Sequence, residues 1–345
     1  MGLKRYSFKD DYSEGCHPSV LAALTAMNQG VWPGYGEDAV SEEARDLIRT
    51  AFAVPDAGVY FVSNGTQANL TLIAAMLKPF ESVVAATSAH IHRHEAGAIE
   101  ATGHKIDSVT TPDGKLTPDL IGEALSRYED HHTALPRLVY VSNSTELGTV
   151  YRKAELEAIS AYCRSKGLLL MLDGARLGAG LTAAGNDLSM ADVGRLCDAF
   201  YIGGAKNGLL FGEAIVVKSA AVQADFLYHI KQRGALLSKG WVIGVQFREL
   251  FREGLYLEMA AHANRMAEGL AAGIQSAGYK FLSPPASNQI FPVFSLEMIA
   301  KLEADFSFYR WAKVDGEHWA IRLVTSWATT EEKVDAFLGA LVNDH

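Results

Sequence analysis

The chain has 345 residues, of which 49% are hydrophobic and 21% charged, and its formal net charge is −9. This is a globular composition, with length for about two domains, and its acidic balance argues against non-specific nucleic-acid binding through a broad basic surface. Three scattered cysteines, Cys16, Cys163 and Cys197, argue against a disulfide framework or a CxxC metal site. With no apolar leader at the start and no apolar run near the ~20 residues that span a bilayer, a cytoplasmic protein is expected.

From about residue 58 to 217, short apolar runs alternate with amphipathic ones. Strands are expected at 59–63, 82–86, 105–109, 137–141 and 167–172, with helices at 66–77, around 92–100, at 117–128 and at 153–166. The Thr117-Pro118 pair reads as an N-cap followed by proline at the first helical position. Such alternation predicts an α/β fold, a mostly parallel sheet covered by helices on both faces. A strand at 212–218 and a helix-rich stretch at 220–277 follow. Strands at 289–294 and 320–324 and a closing helix at 330–342 then suggest a smaller α+β unit. The expected division is a large domain, 14–250, and a small one, 251–345, with an N-terminal arm, 1–13, packing near the site.

Two segments carry the strongest chemical signal. Asp173 ends the apolar run Leu168–Leu172, and Lys206 follows Phe200-Tyr201-Ile202 about 30 residues later in a glycine-flanked turn. A lysine able to form a Schiff base and an acid able to hold a pyridine nitrogen protonated point together to pyridoxal phosphate. Each residue also has a plain alternative: a solvated loop lysine and a helix-capping acid. Ser63-Asn64-Gly65-Thr66 joins a strand to a helix start, where free amides and the helix dipole suit a phosphate. Neither a Walker loop nor the GxGxxG fingerprint of a dehydrogenase is present. His90, His92 and His94 do not make a metal site by spacing, since His92 falls on another helical face; stacking on a ring or acting as a base suits one imidazole better. Arg176 could grip a carboxylate or pair with Asp173, and Arg322, inside an apolar strand, could serve a salt bridge or a substrate carboxylate. Tyr35 follows a Gly/Pro-rich turn and could line a pocket. His131 and His132 read as exposed loop residues.

In order and spacing, the set resembles the low-specificity L-threonine aldolase family, pyridoxal-phosphate enzymes of the aspartate-aminotransferase fold within the β-eliminating lyases. The segments that carry the resemblance are Asp10-Asp11-Tyr12, Tyr35-Gly36-Glu37-Asp38, Asn64 to Asn69, His90 with Glu95 and Gly97, Gly148 to Tyr151, Leu172 to Leu177, Lys206, and Arg322 to Thr325. The resemblance implies that Lys206 carries the cofactor, Asp173 pairs with its pyridine nitrogen, His90 stacks on its ring, and the backbone of Gly65 and Thr66 binds its phosphate. It also implies that Arg176 and Arg322 hold the substrate carboxylate, that His132 lies near the substrate hydroxyl across a subunit interface, and that Lys239 reaches a neighbour's phosphate in a homotetramer. Lys9 stands where the family commonly has a serine that touches the substrate carboxylate, Asn207 where glycine is usual, and Asn143-Ser144-Thr145-Glu146 where Glu-Asn-Thr-His is usual. The implied reaction is cleavage of L-threonine or L-allo-threonine to glycine and an aldehyde, with His90 or His132, or a water they hold, as base. Alternatives are β-elimination, a phenylserine-type aldolase, or a cofactor-binding homologue without aldolase activity.

Overall fold

The structure is a computed structural model that describes residues 5–342, so the expected N-terminal arm lies partly outside the described residues. Fourteen strands are present among them. They are β1 (Tyr6–Ser7), β2 (Gly58–Val62), β3 (Glu81–Ala86), β4 (Ile106–Val109), β5 (Leu135–Ser142), β6 (Leu169–Asp173), β7 (Ala199–Gly203) and β8 (Glu213–Val217). The later ones are β9 (Lys280–Phe281), β10 (Gln289–Ile290), β11 (Pro292–Ser295), β12 (Phe306–Ser307), β13 (Tyr309–Lys313) and β14 (His318–Val324).

The main sheet has seven strands in the order β2-β8-β7-β6-β5-β3-β4. Pairs from β7 through β4 are parallel, while β8 runs antiparallel to both β7 and β2. Every residue of β3, β7 and β8 is buried. That is why these strands read as unbroken apolar runs and not as alternating ones: both faces are covered. The fold is α/β with this mixed sheet. Thr117 caps the helix Pro118–Ser126 as its sequence predicts, accepting the Leu120 N–H at 3.3 Å. The helix expected around 92–100 is corrected: one short turn, His90–Arg93, is followed by a separate turn at Glu100–Thr102, with Ala96 and Gly97 at positive φ between them. The left-handed backbone at that pair cannot continue a helix.

A second sheet, β10-β14-β11-β9 with β13 on the far edge of β14, packs on a separate apolar cluster that includes Leu270, Ile274, Phe294, Ile321 and Phe337. Phe8 belongs to this cluster, β1 pairs with β12, and the Phe8 carbonyl accepts the Val324 N–H at 2.9 Å. These bonds tie the N-terminal segment to the smaller sheet and lay residues 9–12 over the ends of the parallel strands.

Candidate active site

Ligand sites on open α/β sheets form outside the carboxyl ends of the parallel strands. Here β6 ends at Asp173, β5 ends at Ser142 shortly before Glu146, and β7 ends at Gly203, three residues before Lys206. A cavity of about 420 Å³, a size suited to a small molecule, opens at this edge. Its lining includes Asp10, Tyr12, His90, His94, Glu146, Arg176, Lys206, Tyr309, Trp311 and Arg322.

Asp173 is buried and held by four donors. Tyr140 on β5 and Tyr201 on β7 give their hydroxyls, Asn69 gives its amide at 3.1 Å, and the Ala175 N–H donates at 3.0 Å. Burial alone would push this carboxyl up. The His90 charge, both phenols and the Ala175 amide outweigh it and hold it below the ordinary value, so Asp173 stays anionic. The same Asn69 amide donates to Glu95 Oε1 at 2.7 Å, and that oxygen lies 2.8 Å from His90 Nδ1. One asparagine thus links the strand-end acid to the group that orients the histidine.

Lys206 makes no hydrogen bond or ion pair among the described residues, and its amine faces the cavity. Burial and the nearby Arg176 charge depress its pKa, so the nitrogen gives up its proton more readily than a surface lysine. Beneath it, buried Glu213 accepts the Gly204 N–H at 2.8 Å, and burial pushes this acid up to about 8.

The two arginines differ. Arg176 is clamped by Asp11 through bonds of 2.7 and 3.0 Å, and Asn288 supports that carboxylate at 2.9 Å. Arg322 lies between the rings of Tyr309 and Trp311, at 5.0 and 5.1 Å, and gives one bond to the Lys9 carbonyl at 3.1 Å. Its Nε is buried without a partner, so this guanidinium has donors to spare.

The helix Gly65–Met76 begins at the same edge. Asn64 accepts the Gln67 N–H through its side chain and the Ala68 N–H through its carbonyl, leaving the Gly65 and Thr66 amides without intrahelical acceptors. A Cβ at Gly65 would stand 3.2 Å from the Tyr201 hydroxyl, so the backbone approaches closely there. An unpaired lysine, a buried anionic acid and two free amides fit the aldehyde, ring nitrogen and phosphate of pyridoxal phosphate.

Other expected site residues are not brought to this cavity within one chain. Lys9 turns its ammonium over the Tyr309 ring, at 5.2 Å, and its neighbour Asp10 lines the cavity instead. Tyr35 lines a separate cleft with Tyr60 and Leu227, and its N–H donates to the Ser238 carbonyl beside exposed Lys239. His132 sits on an exposed loop, its amide bonded to Asp130. Sequence reasoning assigned no role to Tyr140, Tyr201 or Glu213, and it met His94 only within the histidine cluster, Asn69 only within the Asn64–Asn69 segment and Glu146 only as a departure from the family pattern. The two tyrosines sit inside apolar strands and read as core; only the folded sheet shows their hydroxyls meeting on Asp173.

A family model described as beta-eliminating lyase matches residues 9–297. The low-specificity L-threonine aldolase of Pseudomonas aeruginosa is 36% identical over 329 residues, covering 94% of this chain and 93% of that protein. This chain belongs to the low-specificity L-threonine aldolases of the β-eliminating lyase family. The solved threonine aldolase of Leishmania major shares 46% identity and superposes with a TM-score of 0.96 over 97% of this chain and 98% of that one. Aspartate aminotransferase of Thermus thermophilus, 17% identical with a TM-score of 0.72 over 98% of this chain and 91% of its own, shares the fold. Members of this aldolase family are pyridoxal-phosphate lyases, and the donor set above suits that cofactor.

Proposed function

We propose that the chain cleaves L-threonine, L-allo-threonine and related β-hydroxy-α-amino acids to glycine and an aldehyde, using pyridoxal phosphate carried on Lys206. The observation that bears most weight is the unpaired, acid-shifted Lys206 amine in the same cavity as the free Nε of Arg322, beside the anionic Asp173. When bound, the cofactor supplies an electron sink for the bond broken at the substrate's Cα. Asp173 then holds a proton on the pyridine nitrogen. His90, steadied by Glu95, packs on the ring, and the Gly65 and Thr66 amides hold the phosphate. Arg322 takes the substrate carboxylate in its aromatic clamp, with Arg176, fixed by Asp11, as the second wall; together they set which bond at Cα stands across the ring.

Tyr35 lines a cleft with Leu227, its N–H donates to the Ser238 carbonyl next to Lys239, and Leu227 and its neighbour Tyr228 are exposed apolar side chains on the helix Ala220–Gln232. These exposed side chains support a homotetramer in which Tyr35, Lys239 and His132 complete a neighbour's site. The deciding test is the spectrum and turnover of the purified protein. The expected result is a visible cofactor band that Lys206→Ala abolishes, with glycine and aldehyde released from L-threonine, L-allo-threonine or phenylserine. Pyruvate and ammonia released in their place would assign β-elimination.

A further inference from the structure

The reaction proposed above releases an aldehyde only if the substrate's β-hydroxyl loses its proton as Cα–Cβ breaks. The cavity holds several groups that could accept it, and most are engaged elsewhere. His90 Nδ1 faces Glu95 Oε1 at 2.8 Å, and its ring is the one that would stack on the cofactor. Glu146 accepts the His90 N–H at 3.0 Å and the Ser142 hydroxyl at 3.1 Å. Burial and the Asp173 charge push its carboxyl up, which favours the protonated acid. Tyr12 is pushed up to about 12 by burial and by Asp10, so it is a poor acceptor. Asp10 faces Arg322 at 3.6 Å, on the carboxylate side of the site. Lys206 would hold the cofactor until the substrate amine replaces it there and would then serve proton return at Cα, and His132 lies on an exposed loop outside this cavity.

His94 remains. The His90–Arg93 turn ends on it: its N–H returns to the His90 carbonyl at 2.8 Å, which aims the ring over the cavity. The imidazole packs between the His90 ring, 5.5 Å away, and the Trp311 ring, 6.4 Å away. Neither ring nitrogen has a hydrogen-bond partner among the described residues. We infer that His94 is the general base of the cleavage: a ring nitrogen of His94 takes the β-hydroxyl proton, the C–O bond becomes the aldehyde carbonyl, and the Cα–Cβ electron pair stays with the glycine fragment. The inference rests on the proposed aldol cleavage.

The electrostatics agree with this geometry. Partial burial and then the charges of His90, Arg322, Arg93 and Lys206 lower the His94 pKa, keeping the imidazole neutral and able to accept a proton near pH 7. Arg176, Arg310, Asp10 and Glu146 are the other charged groups lining the cavity; Arg176 is paired with Asp11 at 2.7 Å and Arg310 with Glu303 at 2.7 Å.

The test compares wild-type holoenzyme with His94→Asn and His94→Ala by four readouts: the visible cofactor band, threonine cleavage, exchange of the glycine α-proton with deuterated solvent, and the NMR titration of the His94 ring. Glycine exchange uses the same cofactor and carboxylate grip but needs no β-hydroxyl base. The expected result is an unchanged band and unchanged glycine exchange in both variants, with cleavage slowed by about 10²–10⁴-fold. Added imidazole restores part of the cleavage in the alanine variant. In wild type the His94 ring titrates below the ordinary 6.5, and kcat rises through that same pKa, a limb absent from the asparagine variant. Cleavage at the wild-type rate in His94→Asn, or parallel loss of cleavage and exchange, overturns the inference. A wild-type protein that exchanges glycine yet cleaves no β-hydroxy amino acid instead overturns the aldolase reading itself.

Discussion

At the scale of single residues, buried carboxylates are handled in two opposite ways. Asp173 and Glu95 share the Asn69 amide as a donor, with the phenols of Tyr140 and Tyr201 also on Asp173 and His90 Nδ1 beside Glu95. Replacing Asn69 with Leu leaves both acids short of one hydrogen bond, at a cost of about 1–3 kcal/mol for each. The expected outcome for Asn69→Leu is a lower unfolding midpoint together with weaker cofactor retention, read by denaturant titration and by release of the visible chromophore. Glu213 goes the other way, with a folded pKa of about 8 against an ordinary 4.5. An acid raised in the folded state binds its proton more tightly there. Its contribution to stability is present below about 4.5 and is lost as pH rises towards 8. Glu213→Gln keeps an acceptor for the Gly204 N–H, so the expected outcome is a flatter stability profile between those pH values, measured by thermal unfolding across the range. At this scale the sequence showed Lys206, Asp173 and Arg322 as candidates from their neighbours alone. It could not show that Arg176 is clamped by Asp11, because 165 residues separate the two along the chain.

At the scale of elements, two features position the site. The glycine after Asp173 lets β6 lie against β7: the Gly174 carbonyl accepts the Gly203 N–H at 2.8 Å, and a Cβ on Gly174 would run into the Tyr201 carbonyl oxygen. Gly174→Ala therefore forces the two strand ends apart, and the expected result is lost cofactor binding with a stability loss of at least the ~1–3 kcal/mol typical of overpacking, checked by absorbance and calorimetry. The second feature is the helix Leu255–Ser276, whose Tyr256 and Met259 belong to the larger apolar cluster and whose Met266, Leu270 and Ile274 belong to the smaller. Leu270 is fully buried. Leu270→Ala should cost about 2–5 kcal/mol in chemical denaturation, with KM and kcat little changed, because the residue lies in the smaller core and not in the cavity lining. Apolar runs and caps made most elements legible, including the helix Lys153–Lys166 at its observed ends. The turn at His90 was not, since a four-residue helix ended by a positive-φ pair has no periodic signature.

At the scale of the whole molecule, the proposed assembly is tested at the helix Ala220–Gln232, where Leu227 and Tyr228, 52% and 76% exposed, are apolar side chains turned to solvent. Tyr228→Glu places a charge beside Leu227 on that helix. The expected outcome in light scattering is a smaller assembly than the wild type, with lower turnover if Tyr35 and Lys239 serve a neighbour's cofactor. Local sequence determined the α/β alternation, the lysine, the strand-end acid and the helix start at Gly65, because each is a short-range pattern of burial, turn chemistry and charge. It also carried the family resemblance, since that depends only on the order of short segments. The tertiary structure alone decided which groups meet. Closing the sheet in the order β7-β6-β5 puts two phenols on Asp173, and tying the N-terminal segment to β14 brings Asp10, Asp11 and Tyr12 over the cavity. Folding His90 to Ala96 into a single broken turn leaves the His94 ring without a hydrogen-bond partner in the cavity that Lys206 also lines. Those contacts join residues tens to hundreds of positions apart, and a hydrogen bond is chosen by distance in space, which a linear pattern does not record.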